Sequence, residues 1–174
     1  IYSGTGSIRK GYHYLLQAFH ELNLENCELW HMGDLNDEIK PLLEKYKHPN
    51  LKLKGRQSQK ELYKFYSQGS VFVFPSLEDG FGLVVPQAIA CGLPVICSTN
   101  VGANDLITHG KDGFIIPIQN VEEIKKKIIF LYNNKDKCKE MGQSAKKKIE
   151  NKYSWDDYGL RYINNLNDIL KNAK

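Results

Sequence analysis

Short apolar runs that alternate with helix-like stretches constrain this chain more than any other feature of its sequence. Ile1-Tyr2-Ser3 leads into a glycine turn, and Tyr12 to Leu22 then places Leu15, Leu16, Phe19 and Leu22 on one helical face. Cys27 to Met32 reads as a strand ending at Gly33-Asp34, Asp37 to Tyr46 as a helix, and Leu51 to Leu53 as a short strand stopping at Gly55. Ser58-Gln59-Lys60-Glu61 has the pattern of a capping box opening a helix to about Gln68. Val71 to Phe74 is a buried strand by length and composition, closed by Pro75-Ser76. A glycine loop, a helix through Ala88 to Cys91 and strands at Leu93–Cys97 and Phe114–Ile116 follow. Asn120 caps a helix from Val121 to about Tyr132, and two more helices fit Lys135–Lys152 and Trp155–Leu170. Strands separated by helices imply parallel βαβ units covered on both faces. The expected fold class is therefore α/β, a doubly wound, mostly parallel, Rossmann-like sheet of about six strands.

All 174 residues suit one domain of ordinary composition, 41% hydrophobic and 25% charged. The net charge of +4 comes with lysine runs at 125–127 and 146–148. Interleaved Glu122, Glu123, Glu140 and Glu150 make these solvated helix faces rather than a nucleic-acid patch. Cys27, Cys91, Cys97 and Cys138 form neither a C-x-x-C pair nor a zinc spacing, as expected of a reduced compartment. Cys91 and Cys97 read as small packed hydrophobes. His13, His20, His31, His48 and His109 form no metal set and read as structural, and Trp155 reads as an anchor for the last helix. No signal peptide is visible, and no apolar run approaches the ~18 residues of a membrane span. The chain opens at Ile1 directly in a strand, which reads as a piece of something longer.

Ligands of doubly wound sheets bind beyond the carboxyl ends of the strands. The chemistry is therefore expected in Gly4–Lys10, Gly33–Asp34, Gly55–Arg56, Ser76–Gly82 and Ser98–Asn104. Gly4-Thr5-Gly6 followed by Arg9-Lys10 combines close backbone approach, a helix N-terminus and two cations, which suits a diphosphate. Arg9 replaces the third glycine of the dinucleotide fingerprint, and Gly11 after Lys10 breaks the P-loop pattern. Taken alone, the loop also reads as a turn with exposed cations. The stretch Ser76-Leu77-Glu78-Asp79-Gly80-Phe81-Gly82 through Gly92-Leu93-Pro94-Val95 carries more information. Two carboxylates precede a Gly-Phe-Gly turn that opens a helix. Pro86 is tolerable only in a first helical turn, so the helix should begin near Gly82 or Leu83, with Gln87 one turn in.

That stretch resembles the signature of the family 4 retaining glycosyltransferases, which have the GT-B fold. The family pattern is E-G-F-G-x-x-x-x-E, then A-x-A-x-G-x-P-V. Anchoring on Gly80-Phe81-Gly82 places Asp79 and Gln87 on the two glutamates. Tyr2 to Gly11, Leu29 to Asp34, Gly55-Arg56, Val71 to Ser76, and Val101 to Phe114 resemble other family segments in order and spacing, so the resemblance covers essentially the whole chain. It implies the donor-binding C-terminal half of a GT-B enzyme, a single domain over 1–174, with an acceptor domain preceding Ile1.

The implied donor is a nucleoside diphosphate sugar, transferred with retention in polysaccharide, glycan or glycolipid biosynthesis. The implied acceptor is a glycan, lipid-linked or other, reached through the missing domain. Without that domain the piece should bind donor but not turn over. The resemblance assigns catalysis to Lys10 and Asp79. It assigns donor binding to Thr5, Gly6, Arg9, Gly55, Arg56, Glu78, Gly80, Phe81, Gly82, Leu83, Val84 and Gln87. Neither a metal nor a cofactor is called for, because protein cations and helix dipoles neutralise the leaving diphosphate. The expected setting is cytoplasmic, with room for peripheral contact at the inner face of the membrane and no nucleic-acid partner.

The departures bear on the sugar and on activity. Asp79 keeps a charge on a shorter stem, with Glu78 as a substitute, and Gln87 keeps an acceptor without charge. Thr5 stands where the family has an arginine, a loss that Arg9 offsets. Three rivals share the sheet or the charge: a dinucleotide oxidoreductase using Asp34, a catalytically silent nucleotide-binding module, and a nucleic-acid-binding domain.

Overall fold

The computed structural model describes residues 1–172, without the side chains of Lys152, Trp155 and Asn172, so the anchoring role read for Trp155 lies outside the described residues. Strands β1 (Tyr2–Ser3), β2 (Leu29–Met32) and β3 (Leu51–Gly55) form one parallel sheet in the order β1-β2-β3. Strands β4 (Phe72–Phe74), β5 (Val95–Ser98) and β6 (Gly113–Ile116) form a second, in the order β4-β5-β6. Tyr2 lies opposite His31 in the first, and Phe74 opposite Cys97 in the second.

The sequence predicts one continuous sheet, whereas the regular ladder divides into two. The cause is the brevity of β1, which ends where Gly4 turns to φ 129°. The Val73 N–H still donates to the Ile1 carbonyl at 2.9 Å, so β4 lies beside β1. The order across the molecule is β3-β2-β1-β4-β5-β6, the doubly wound order.

Helices α1 (Tyr12–Leu22), α2 (Lys40–Lys45), α3 (Leu62–Tyr66), α4 (Val84–Ala90), α5 (Val121–Asn133), α6 (Lys135–Lys152) and α7 (Trp155–Asn172) complete the chain. A 3-10 turn at Asp37–Ile39 precedes α2, and another covers Gly102–Leu106. α1 meets α2 and α5, whereas α4 meets α3 and α6. Every residue of β4 and β5 is buried, as strands covered by helices on both faces must be. The core runs from Tyr2, Tyr12, Leu15 and Leu16 to Phe72, Phe74, Ile89 and Ile96.

The predicted cap of α5 is present, with the Glu123 N–H donating to Asn120 Oδ1 at 2.9 Å. The capping box at Ser58 is not formed. Ser58 Oγ donates to the Glu61 carboxylate at 3.2 Å, and the N–H groups of Glu61 and Leu62 reach the Ser58 carbonyl at 2.9 and 3.2 Å. The two side chains satisfy each other, a turn forms, and α3 starts only at Leu62.

The lysine runs are largely paired. Lys125 bridges Glu21 and Glu122, both at 2.6 Å, and Lys148 reaches the buried Asp112 at 3.3 Å. Among the described residues no helix is long and apolar enough to cross a membrane, and no group of three His, Cys, Asp or Glu side chains is placed to hold a metal ion.

Candidate functional site

The strands that follow β1 run to one side of the sheet and those that follow β4 run to the other. A cleft of about 400 Å³ opens at the carboxyl ends of these two strands, the switch point where doubly wound sheets take their ligands. Lys10 and Asp79 meet in its lining, and Gly80, Phe81, Gly82, Leu83 and Val84 form the rim. Ser3, Gly4 and Phe74 complete the lining. Gly4 opens one of the loops in which the sequence places the chemistry, whereas Ser3 and Phe74 lie outside all of them. Their positions at strand ends were the available signal, but side-chain type gave none.

Two loops build the cleft and are knitted together. The Leu77 N–H donates to the Arg9 carbonyl at 2.9 Å, and Ser76 Oγ donates to it at 3.3 Å. Arg9 Nη1 donates to the Glu78 carbonyl at 3.4 Å. A Cβ at Gly11, where φ is 63°, would fall 1.9 Å from the Pro75 carbonyl oxygen. Only glycine lets these backbones approach so closely. Behind the rim, the Asp79 N–H donates to Asn100 and the Ala103 N–H to Phe81, at 3.0 and 2.8 Å. Ser98 Oγ donates to the Ser76 carbonyl. Gly82 has φ 78°, and a Cβ there would lie 2.9 Å from Val101.

Lys10 Nζ lies 2.5 Å from Asp79 Oδ2, with side-chain exposures of 15% and 18%. It also lies 5.9 Å from the Phe74 ring centroid. Such a pair, largely removed from water, gains Coulomb energy and loses solvation, so its net contribution is small while stranding either charge is costly. β1 is steadied from below by His31. Its Nε2 lies 3.0 Å from the Gly4 carbonyl, and burial holds its pKa below the ordinary value. Tyr2 donates its hydroxyl to the Thr5 carbonyl at 2.9 Å, and burial raises its pKa. Burial pushes the Cys97 thiol up to about 12, which makes it an inert packing residue.

The expected backbone cradle in Gly4–Lys10 is mostly occupied from within. The Gly6 N–H goes to Asp34, that of Ile8 to Glu38 Oε1, that of Gly11 to Ile8 and that of Tyr12 to Ser7. The loop therefore offers an anion the side chains of Lys10 and Arg9 more than its backbone. Gly6 is buried, and a Cβ there would meet Leu35 at 2.6 Å, so packing requires this glycine. Thr5, Arg9 and Glu78 are exposed at the loop surfaces.

Gly55 and Arg56 lie at the end of β3, beyond β2, with Arg56 84% exposed and 4.0 Å from Asp34. Gln87 sits in α4, not in the cleft lining, and its Oε1 is buried without a hydrogen-bond partner. Helix α4 begins at Val84, as Pro86 requires; the Val85 N–H donates to the Gly82 carbonyl at 2.8 Å, Pro86 has no N–H, and the Gln87 N–H donates to the Leu83 carbonyl at 3.3 Å.

Residues 1–148 match the family model described as glycosyl transferases group 1. The capsular polysaccharide biosynthesis glycosyltransferase CapM of Staphylococcus aureus is 31% identical over 95% of this chain and 44% of its own length. The chain spans less than half the length of this and other curated relatives. Anabaena HepE, solved in complex with UDP, superposes with a TM-score of 0.85 at 18% identity over 96% of this chain and 48% of its own. The C-terminal domain of a glycosyl transferase group 1 family protein from Francisella tularensis superposes with a TM-score of 0.79 at 16% identity, covering 88% of this chain and 85% of that domain. The chain thus belongs to the glycosyl transferases group 1 family and carries the C-terminal fold of a GT-B enzyme.

Proposed function

We propose that this chain binds a nucleoside diphosphate sugar and, joined to an acceptor domain, transfers the sugar with retention to a glycan, lipid-linked or other acceptor. The observation that carries the reading is the Lys10 ammonium held against Asp79 beneath the Gly80-Phe81-Gly82 rim at the switch point. HepE, similar in fold, has been solved with UDP and with UDP-glucose, and CapM serves capsular polysaccharide biosynthesis. In this reading Lys10, with Arg9 and the positive end of the α4 dipole, meets the charge that grows on the departing diphosphate. Charge stabilisation of this kind acts mainly in the transition state. Asp79 faces the sugar hydroxyls. Gln87 accepts from a ribose hydroxyl once its amide, buried and outside the cleft lining, turns toward the cleft. The base lies toward Gly55-Arg56. The side chains supply the cations, so the reading calls for no resident cofactor.

Calorimetric titration with UDP, GDP, ADP, the matching monophosphates and NAD tests this. One diphosphate should bind best, and its monophosphate more weakly. Equal affinity for mono- and diphosphate would remove the role given to Lys10. A catalytically silent nucleotide-binding module is the second reading, favoured by the uncharged Gln87. It gives the same titration but no sugar transfer by the full-length protein.

A further inference from the structure

The pair formed by Lys10 and Asp79 bears on which ligand the cleft prefers. The ammonium that should meet a diphosphate is already 2.5 Å from a carboxylate oxygen. Toward Lys10, that oxygen stands where a phosphate oxygen would stand. Asp79 cannot retreat far. Its N–H is held by Asn100 at 3.0 Å and its carbonyl by the Gly102 N–H at 3.2 Å, on a side chain with one methylene. Lys10 has a long flexible stem, so the ammonium is the partner that moves.

We propose that Asp79 is an internal competitor for Lys10, so that the cleft discriminates between an intact nucleotide sugar and the bare diphosphate left after transfer. This rests on the donor-binding reading above and adds a selection rule to it. A bare diphosphate that takes Lys10 leaves the Asp79 carboxylate, 18% exposed, without its cation and beside a new anion. An intact nucleotide sugar takes Lys10 with its phosphates and offers Asp79 hydroxyl donors in exchange. Both members of the pair are then satisfied, and the cost of separating them is offset. Once the sugar has been transferred, Asp79 has no donor, recaptures Lys10 and expels the diphosphate. Arg9 is tethered more loosely, through the neutral Glu78 carbonyl at 3.4 Å, so it is available to either ligand.

The test is calorimetry on the full chain with UDP, GDP and ADP and their glucose conjugates as probes. In the wild-type protein the preferred glucose conjugate should bind more tightly than its diphosphate. Asp79→Asn keeps the side-chain volume and the backbone bonds, and should tighten the bare diphosphate by about five-fold. The preference for the conjugate should shrink with it. Asp105→Asn removes an equal charge from an exposed side chain in the 3-10 turn behind the rim, and should leave diphosphate affinity within about two-fold.

Unchanged or weaker diphosphate binding in Asp79→Asn would overturn the competition. An equal gain in Asp105→Asn would also overturn it, because general repulsion would then explain the effect. A wild-type chain that binds none of the nucleotides overturns the donor-binding reading and this proposal together. A wild-type chain that binds them with no gain in Asp79→Asn overturns this proposal alone.

Discussion

The half of the molecule built on β4, β5 and β6 differs from the half built on β1, β2 and β3 in how it holds its loops. Strands β4 and β5 are buried throughout, and the signature loop after β4 is tied by backbone bonds to Arg9, Asn100 and Ala103. Strand β3 is an edge strand, and its last three residues, Leu53 to Gly55, are exposed. Under the proposed function the difference separates two tasks. Charges that act on a reacting centre must be held within fractions of an ångström, which the knitted half provides. Recognition of a base tolerates an open shelf, which the edge of the first sheet provides.

Two glycines with similar backbones give the sharpest way to break that contrast. Gly11 has φ 63° and Gly55 φ 68°. A Cβ at Gly11 would strike the Pro75 carbonyl, whereas nothing lies within 4 Å of one at Gly55. Gly11→Ala should therefore cost on the order of 4 kcal/mol or abolish folding, while Gly55→Ala should cost only about 1–2 kcal/mol of left-handed strain. Denaturant unfolding of both variants decides this. Equal losses would mean that the two loops are held alike.

Lys10→Ala, in the chain joined to the proposed acceptor domain, comes next. The pair spans the knitted loops, and the ammonium is assigned to the leaving diphosphate, so turnover should fall by ~10²-fold or more. Arg9→Ala should cost less, since Arg9 is exposed and reaches only a carbonyl. A larger loss for Arg9 in steady-state kinetics would show that the loop presents the wrong cation in this reading.

Periodicity and caps made some elements readable in the sequence. The apolar stripe Leu15-Leu16-Phe19 bounded α1, Asn120 set the start of α5, and Pro86 set the start of α4. The Gly-Phe-Gly turn marked the rim of the cleft. Long-range pairing was not readable. Lys10 and Asp79 are 69 residues apart, and no local pattern states that their charges neutralise each other. The Glu38 carboxylate fills the Ile8 N–H from 30 residues away, so the expected phosphate cradle looked vacant in the sequence. The break between the two sheets was hidden for a similar reason. Gly4 ends β1 after two residues, and alternation cannot measure so short a strand.

Gln87 tests whether the buried half also serves the nucleoside. Its Oε1 is buried without a donor, so a ribose hydroxyl that reaches it adds a bond without breaking one. Gln87→Ala should weaken the preferred nucleotide by very roughly ten-fold, given about 0.5–1.5 kcal/mol for a neutral hydrogen bond plus the cost of a stranded partner. Gln87→Glu should bind equally well or better, because a charge-assisted bond is stronger. If affinity holds in Gln87→Ala while the melting temperature falls, the residue is a helix-packing side chain.

The smallest expected effect belongs to Arg56, on the open shelf. Its guanidinium is 84% exposed and stands 4.0 Å from an Asp34 carboxylate that is itself 67% exposed. A pair in that setting is screened by water and salt and contributes little. The shelf is instead shaped by backbone, since the Gly33 N–H donates to the Gly55 carbonyl at 2.9 Å and Gly55 turns away at φ 68°. If base choice rests on backbone groups there, Arg56→Ala leaves the order of preference among UDP, GDP and ADP intact and changes the best affinity by no more than about two-fold. Gly55→Ala disturbs the same backbone and should blur that order even though it removes no side-chain contact. Parallel titrations of the two variants separate the cases. A reordered preference in Arg56→Ala with an unchanged one in Gly55→Ala would mean that a side chain, not the backbone, reads the base, and the open half would then carry the specificity assigned here to its main chain.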